Sequence, residues 1–155
     1  MQAAQPDPTL EILLVEDNPA DVTLIREGLR EAKTKHHLSV AIDGDEAIRF
    51  LRREGGFASA PRPHLVLLDL NLPKRLGTEV LCAVKTDPNL KRIPILINTS
   101  SLAETDVNAA YECGSNSYIR KPNELADVYD IVRTLEHFWL ELSLLPSTGP
   151  VQWSG

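Results

Sequence analysis

The stretch that decides the fold is HLVLLDLNLPK, residues 64–74. Leu65, Val66, Leu67 and Leu68 form an unbroken aliphatic run, the pattern of a short strand covered on both faces. The run ends in an acid, Asp69. A carboxylate at the edge of an apolar core is costly unless something pairs with it. Either the strand stops there and Asp69 is an ordinary loop residue, or the acid is held for use.

Similar runs lie on either side: EILLV at 11–15, HLSVAI at 37–42, RIPILI at 92–97 and SYI at 117–119. Helical patterns separate them. Val22, Ile25, Leu29 and Ala32 make one apolar stripe, and Asn18 and Pro19 before it suit an N-cap and a first-turn proline. Ala47, Phe50 and Leu51 mark a second helix; Val80, Leu81 and Val84 a third; Val107, Ala110 and Tyr111 a fourth, stopped by Gly114. A long fifth is expected from about Asn123 to Leu145, before Pro146. REGGFASAPRP, 53–63, reads as a surface connection. Strands alternating with helices predict an α/β domain, a doubly wound five-stranded parallel sheet with helices on both faces. The expected organisation is a flexible leader at 1–9, one domain at 10–145 and a flexible tail at 146–155.

Composition narrows the function classes. The chain has 155 residues, enough for one core, with 16 Lys+Arg against 22 Asp+Glu and a net charge of −6. No basic patch supports direct nucleic-acid binding. No apolar run is long enough to span a membrane, and the first residues lack a signal-peptide pattern, so a cytoplasmic protein is expected. Cys82 and Cys113 have no metal-like spacing and sit in helical patterns, which predicts reduced core thiols.

The strand ends answer the opening question. In a doubly wound sheet, ligands bind beyond the carboxyl ends of the strands, at the switch point in strand order. Glu16 and Asp17 end the first strand and Asp69 ends the third. In the order 2-1-3-4-5 those strands are neighbours, and three carboxylates converge. Like charges so close raise one another's pKa, and a hard divalent cation is the natural remedy. Mg²⁺ prefers octahedral oxygen donors and keeps several waters; Asp17, Asp69 and the backbone carbonyl near Asn71 suit it. Thr99 ends the fourth strand and Lys121 the fifth. A metal and an ammonium to neutralise oxygens, a hydroxyl to donate to one, and a carboxylate to attack in line are the parts that hold a phosphoryl group. Each piece alone has an ordinary reading as a helix cap or a strand-end residue. The combination at the ends of four strands carries the argument.

LLVEDNPAD, DGDEAI, HLVLLDLNLPKRLGTEVL, IPILINTSS and ECGSNSYIRKP together resemble the response-regulator receiver domains of two-component signalling, over roughly residues 10–140. The resemblance implies a flavodoxin-like receiver fold. It implies that Asp69 is phosphorylated by a partner sensor histidine kinase, that Glu16 and Asp17 bind Mg²⁺ directly or through water, and that Thr99 and Lys121 contact the phosphoryl group. Tyr118 stands where an aromatic rotates inward as Thr99 is drawn to the phosphate. Asn71 and Ser101 stand where hydrolytic water, and so signal lifetime, is tuned. The Lys121–Pro122 bond is expected to be cis. Such a domain is a self-phosphorylating and self-dephosphorylating signalling receiver rather than a conventional enzyme. Departures are small: Glu16 replaces a common Asp, Ser100 a small residue, and Asn98 an apolar one. EDNPAD, LLDLNLPK, TSS and RTLEHFW are similar to single-domain regulators paired with phytochrome-type sensor kinases.

Other classes fit less well. Haloacid-dehalogenase-type phosphatases need Asp-x-Asp after the first strand, where this chain has EDN; Toprim-type domains need a later Asp-x-Asp, where it has DLN. A flavodoxin-like cofactor binder needs a Ser/Thr/Gly-rich phosphate loop, and EDNPAD is acidic. A receiver that binds without being phosphorylated remains open, although the full set of site residues argues against it.

The expected last helix, at 1.5 Å per residue, is about 34 Å long against strands of about 17 Å. Leu135, Phe138, Trp139 and Leu142 lie on its overhang. They either fold back on the domain or form a homodimer or partner surface. A homodimer through this helix is the expectation, with output by protein contact.

Overall fold

A computed structural model describes residues 9–148. All but Thr9 of the expected leader, and most of the expected tail, lie outside these residues. Five parallel strands form one sheet in the order β2-β1-β3-β4-β5. They are β1 (Leu10–Val15), β2 (His36–Ala41), β3 (Leu65–Leu68), β4 (Ile95–Thr99) and β5 (Ser117–Arg120). Between and after them run α1 (Pro19–Arg30), α2 (Gly44–Arg52), α3 (Gly77–Thr86), α4 (Glu104–Glu112) and α5 (Leu125–Leu135). This is the expected doubly wound sheet in the expected order.

Strand alternation splits the core into two layers. Leu13, Val15, Val66, Leu68, Ile95 and Ile97 face α2, α3 and α4. Ile12, Leu14, Leu65, Leu67 and Leu96 face α1 and α5. All four β3 side chains are buried, as the run at 65–68 predicts. The Asn18 side chain accepts a hydrogen bond from the Ala20 N–H at 2.9 Å, and Pro19 starts α1 without a donor to orphan. Gly114 stops α4 with φ of +100°, a conformation that disfavours a side chain.

Several expectations need correction. The last α-helix starts at Leu125 and ends at Leu135; a π-helical segment, Glu136–Leu142, continues it. Tyr111, placed on the apolar stripe of α4, is exposed, and only Ala110 of that helix is buried. The 53–63 connection contains a short 3₁₀ turn, Gly55–Phe57, whose Phe57 ring packs 5.6 Å from Phe50. Cys82 and Cys113, expected as separate thiols, form a disulfide between α3 and the end of α4, with Cα atoms 5.1 Å apart. The sheet brings together residues 31 apart in sequence, which linear spacing cannot reveal. The Lys121–Pro122 bond is trans, and the described residues contain no cis peptide. The two isomers before proline differ by only about 0.5–1 kcal/mol, so the dipeptide does not fix one. No helix is long and apolar enough to cross a membrane among the described residues.

Candidate functional site

The order β2-β1-β3 places the end of β1 beside the end of β3, with Val15 in register with Leu68. The residues that follow these two partners are Glu16 and Asp69. Glu16, Asp17 and Asp69 bring carboxylate oxygens within 4.8 Å of one another, with Glu16 and Asp69 buried and Asp17 exposed. Lys121 follows β5, and its backbone N–H donates to the Thr99 carbonyl at 2.8 Å, which ties the two later strand ends together.

One ammonium organises the pocket. Lys121 Nζ lies 2.8 Å from Glu16 Oε2, 2.9 Å from Asp69 Oδ2 and 3.0 Å from Asp21 Oδ2. Burial works against the charged lysine, but its hydrogen bonds to Glu16, Asp69 and Asp21 outweigh this and hold its pKa above the usual value. The Glu16 pKa is also raised, which for an acid disfavours the charged form. Burial raises its pKa, the bonds from Lys121 and the Asn18 N–H oppose this, and the charge of Asp69 adds to it.

Three carboxylates, Glu16, Asp21 and Asp69, therefore share one ammonium, and a fourth, Asp17, lies beside Glu16 and Asp69. The excess negative charge and the all-oxygen donor set fit a hard divalent cation. Asp21 was missing from the sequence reading. It could have been found from its place in the first turn of α1, which begins two residues after Asp17.

The backbone around Asp69 is held closely. Its N–H donates to the Val15 carbonyl, and its Oδ1 accepts from the Asn71 N–H at 3.2 Å. A side chain at position 77 would collide with the Asp69 carbonyl and the Leu70 backbone, so Gly77 lets the β3–α3 loop fold back under the acid. Asp43 caps α2 through the Glu46 N–H and reaches Lys74 of that loop at 3.4 Å. The Glu46 bond is the main reason the Asp43 carboxyl is held below its usual range. Neither Gly77 nor Asp43 stood out as a site residue in sequence.

Thr99 is fully buried on the strand beside β3, and its hydroxyl oxygen accepts from the Ser101 N–H at 3.4 Å. Asn98 is buried next to it, and nothing in the structure explains its polar side chain. Asn71 is exposed at the pocket mouth. Ser101 turns toward α4: its hydroxyl donates to Asp106 and accepts from the Ala103 N–H. Tyr118 packs on the core, and its hydroxyl donates to the Ser101 carbonyl at 2.9 Å. Burial raises the phenol pKa, with the charges of Asp106 and Asp69 adding to it. Tyr118 thus links the loop after Thr99 to β5.

The four apolar residues expected on the overhang divide. Leu135 and Trp139 pack partly against the domain's own second core layer. Phe138 and Leu142 are 53% and 63% exposed.

A model of the response regulator receiver domain matches residues 12–133. The chain is 45% identical to response regulator Rcp1 of Synechocystis sp. over 141 residues, covering 91% of this chain and 96% of that protein. The structure of the Mn²⁺-bound form of Rcp1 superposes with a TM-score of 0.84 at 46% identity, covering 89% of this chain and 99% of that one. The phosphorylated cyanobacterial phytochrome response regulator RcpA superposes with a TM-score of 0.87, also at 46% identity, covering 90% of this chain and all of that one.

Proposed function

The chain belongs to the response regulator receiver family, and we propose that within it Asp69 is the phosphoacceptor for a phytochrome-type sensor histidine kinase. The observation that carries this reading is the buried Asp69 held 2.9 Å from Lys121, in a pocket with three further carboxylates. The similarity to Rcp1 and to the phytochrome regulator RcpA supports the kinase class.

The donor is a phosphohistidine. An Asp69 carboxylate oxygen forms the new P–O bond in line as the donor's P–N bond breaks, and the leaving imidazole takes up a proton. Glu16, Asp17, Asp69 and the Asn71 backbone carbonyl would hold Mg²⁺. The bound cation supplies positive charge beside the transferring oxygens. Lys121 leaves part of its carboxylate set and pairs with a phosphoryl oxygen; the Thr99 hydroxyl donates to another. Movement of Thr99 is felt by Ser101 and hence by Tyr118, since the three are joined by hydrogen bonds. The aspartyl phosphate thereby biases the α4–β5 surface between two arrangements. Asn71 and Ser101, two residues beyond Asp69 and Thr99, set how readily water reaches the phosphoryl group.

The proposal extends to partners. Exposed Phe138 and Leu142 on the π-helical segment form part of a homodimer surface. The setting is cytoplasmic, and a downstream protein reads the α4–β5 face.

The test is intact mass after incubation with acetyl phosphate, with and without Mg²⁺, for wild type and Asp69→Asn. A Mg²⁺-dependent gain of one phosphoryl group that the variant lacks is expected. No gain in wild type beside a reactive control receiver would favour a binding module that is not phosphorylated.

A further inference from the structure

The disulfide sits where little else holds α4. That helix buries one residue, Ala110, and no side chain caps its N-terminus. Its first turn meets Ser101, already linked to Tyr118. Its last turn ends at Cys113, whose sulfur bonds Cys82 on α3. One turn along α3, the Lys85 ammonium donates to the carbonyls of Lys91 and Ile93 and to Asn116 Oδ1 in the turn before β5. Two struts from α3 therefore hold this region, a covalent one to the C-terminal end of α4 and a hydrogen-bonded one to the turn that follows it. Both cysteines are only partly buried.

We propose that Cys82 and Cys113 form a reversible thiol–disulfide couple that clamps α4 to α3 when oxidised and frees it when reduced. The oxidant is a low-molecular-weight disulfide. One cysteine thiolate attacks it and expels one thiol, giving a mixed disulfide. The second cysteine then attacks that bond and expels the second thiol. Two protons and two electrons leave the cysteine pair, and the incoming disulfide is reduced to two thiols. The consequence for signalling rests on the receiver function proposed above. If α4 shifts when Asp69 is phosphorylated, a clamp on α4 opposes that shift. By linkage, phosphorylation must disfavour the clamp by the same factor.

The test begins with thiol counting. Wild-type protein is equilibrated over a range of reduced to oxidised glutathione, quenched with a maleimide and weighed intact. A smooth passage between two labelled thiols and none is expected, and Cys82→Ser should carry at Cys113 either the label or one glutathione, shifting from the first to the second as the mixture becomes more oxidising. Two free thiols at every ratio, or a bond that survives the most reducing mixture, overturns the reversible couple.

Hydrogen exchange then reads the clamp directly. Amides of 104–112 should exchange severalfold faster in reduced wild type and in Cys82→Ser than in the oxidised protein. Equal exchange overturns the clamp even if the couple is real. With acetyl phosphate and Mg²⁺, the change in α4 exchange should be larger in the reduced form. Failure to gain phosphoryl mass in either form would count against the receiver reading alone. The thiol count and the difference in α4 exchange would still decide the clamp.

Discussion

At the carboxyl ends of the strands this molecule gathers charge and pairs it; at the far end of α5 it gathers apolar surface and leaves part of it bare. In the pocket, Lys121 touches three carboxylates and is itself mostly covered. On the π-helical segment, Phe138 and Leu142 are more than half exposed while their neighbour Trp139 packs inward. Charges with fixed partners make a pocket that must reorganise when another charge enters. Bare apolar groups fit the association surface proposed above. On that proposal the two regions divide the work into chemistry and association, and each should fail independently of the other.

The largest effect tests that independence. Asp69→Asn should abolish phosphoryl uptake from acetyl phosphate, whereas Leu142→Asp should take up the group at the wild-type rate and lose self-association in sedimentation. Loss of uptake in the Leu142 variant would break the division. Next in size is Lys121→Met. It leaves Glu16 and Asp69 buried without their cation, which should cost about 3 kcal/mol in urea unfolding with a chelator present. Added Mg²⁺ should restore more stability than it adds to wild type, because the carboxylates it meets are unpaired. Equal Mg²⁺ stabilisation in both proteins would mean that lysine and metal do not share the same acids.

How much of this was legible beforehand differs between the regions. The order of elements, the buried run at 65–68 and the strand-end residues Glu16, Asp17, Asp69, Thr99 and Lys121 were readable. Strand and helix periods are local, and the carboxyl ends of a parallel sheet are brought together by topology. The pairing of Asp21 with Lys121 was hidden because the two lie 100 residues apart. The disulfide was hidden for the same reason: Cys82 and Cys113 belong to different helices and meet only once both lie on one face of the sheet. The split among Leu135, Phe138, Trp139 and Leu142 could not be read, because apolar spacing assumed an α-helix. A π-helical segment carries its side chains around the axis at a different pitch and moves them off the expected stripe.

That split gives the third prediction. Trp139→Ala should cost about 2 kcal/mol in stability, less than a fully buried tryptophan, since the ring is only partly covered. Phe138→Ala, beside it, should change stability by no more than about 0.5 kcal/mol and weaken self-association instead. Equal destabilisation by both variants would show that the whole segment is part of the domain's own core.

The smallest effect lies in the pocket and depends on pH. Burial, with the charge of Asp69 adding to it, holds the Glu16 carboxyl above its ordinary range. A carboxyl whose folded pKa exceeds its unfolded one binds its proton more tightly in the folded chain. Its contribution therefore favours folding at low pH and declines as pH rises from about 4.3, the unfolded value, through the folded one. Once ionised, Glu16 carries the cost of burial, and Glu16→Gln removes that cost. With a chelator present, the variant should melt a few degrees above wild type near neutral pH. The gain should vanish as pH falls and wild-type Glu16 takes up its proton. With saturating Mg²⁺ the sign should reverse, because the glutamine offers the cation no negative charge. A variant less stable than wild type near neutral pH without metal would mean that the bond to Lys121 outweighs burial. The pocket would then be held at a stability optimum rather than poised for an incoming cation, and the contrast with the bare end of α5 would lose its physical basis.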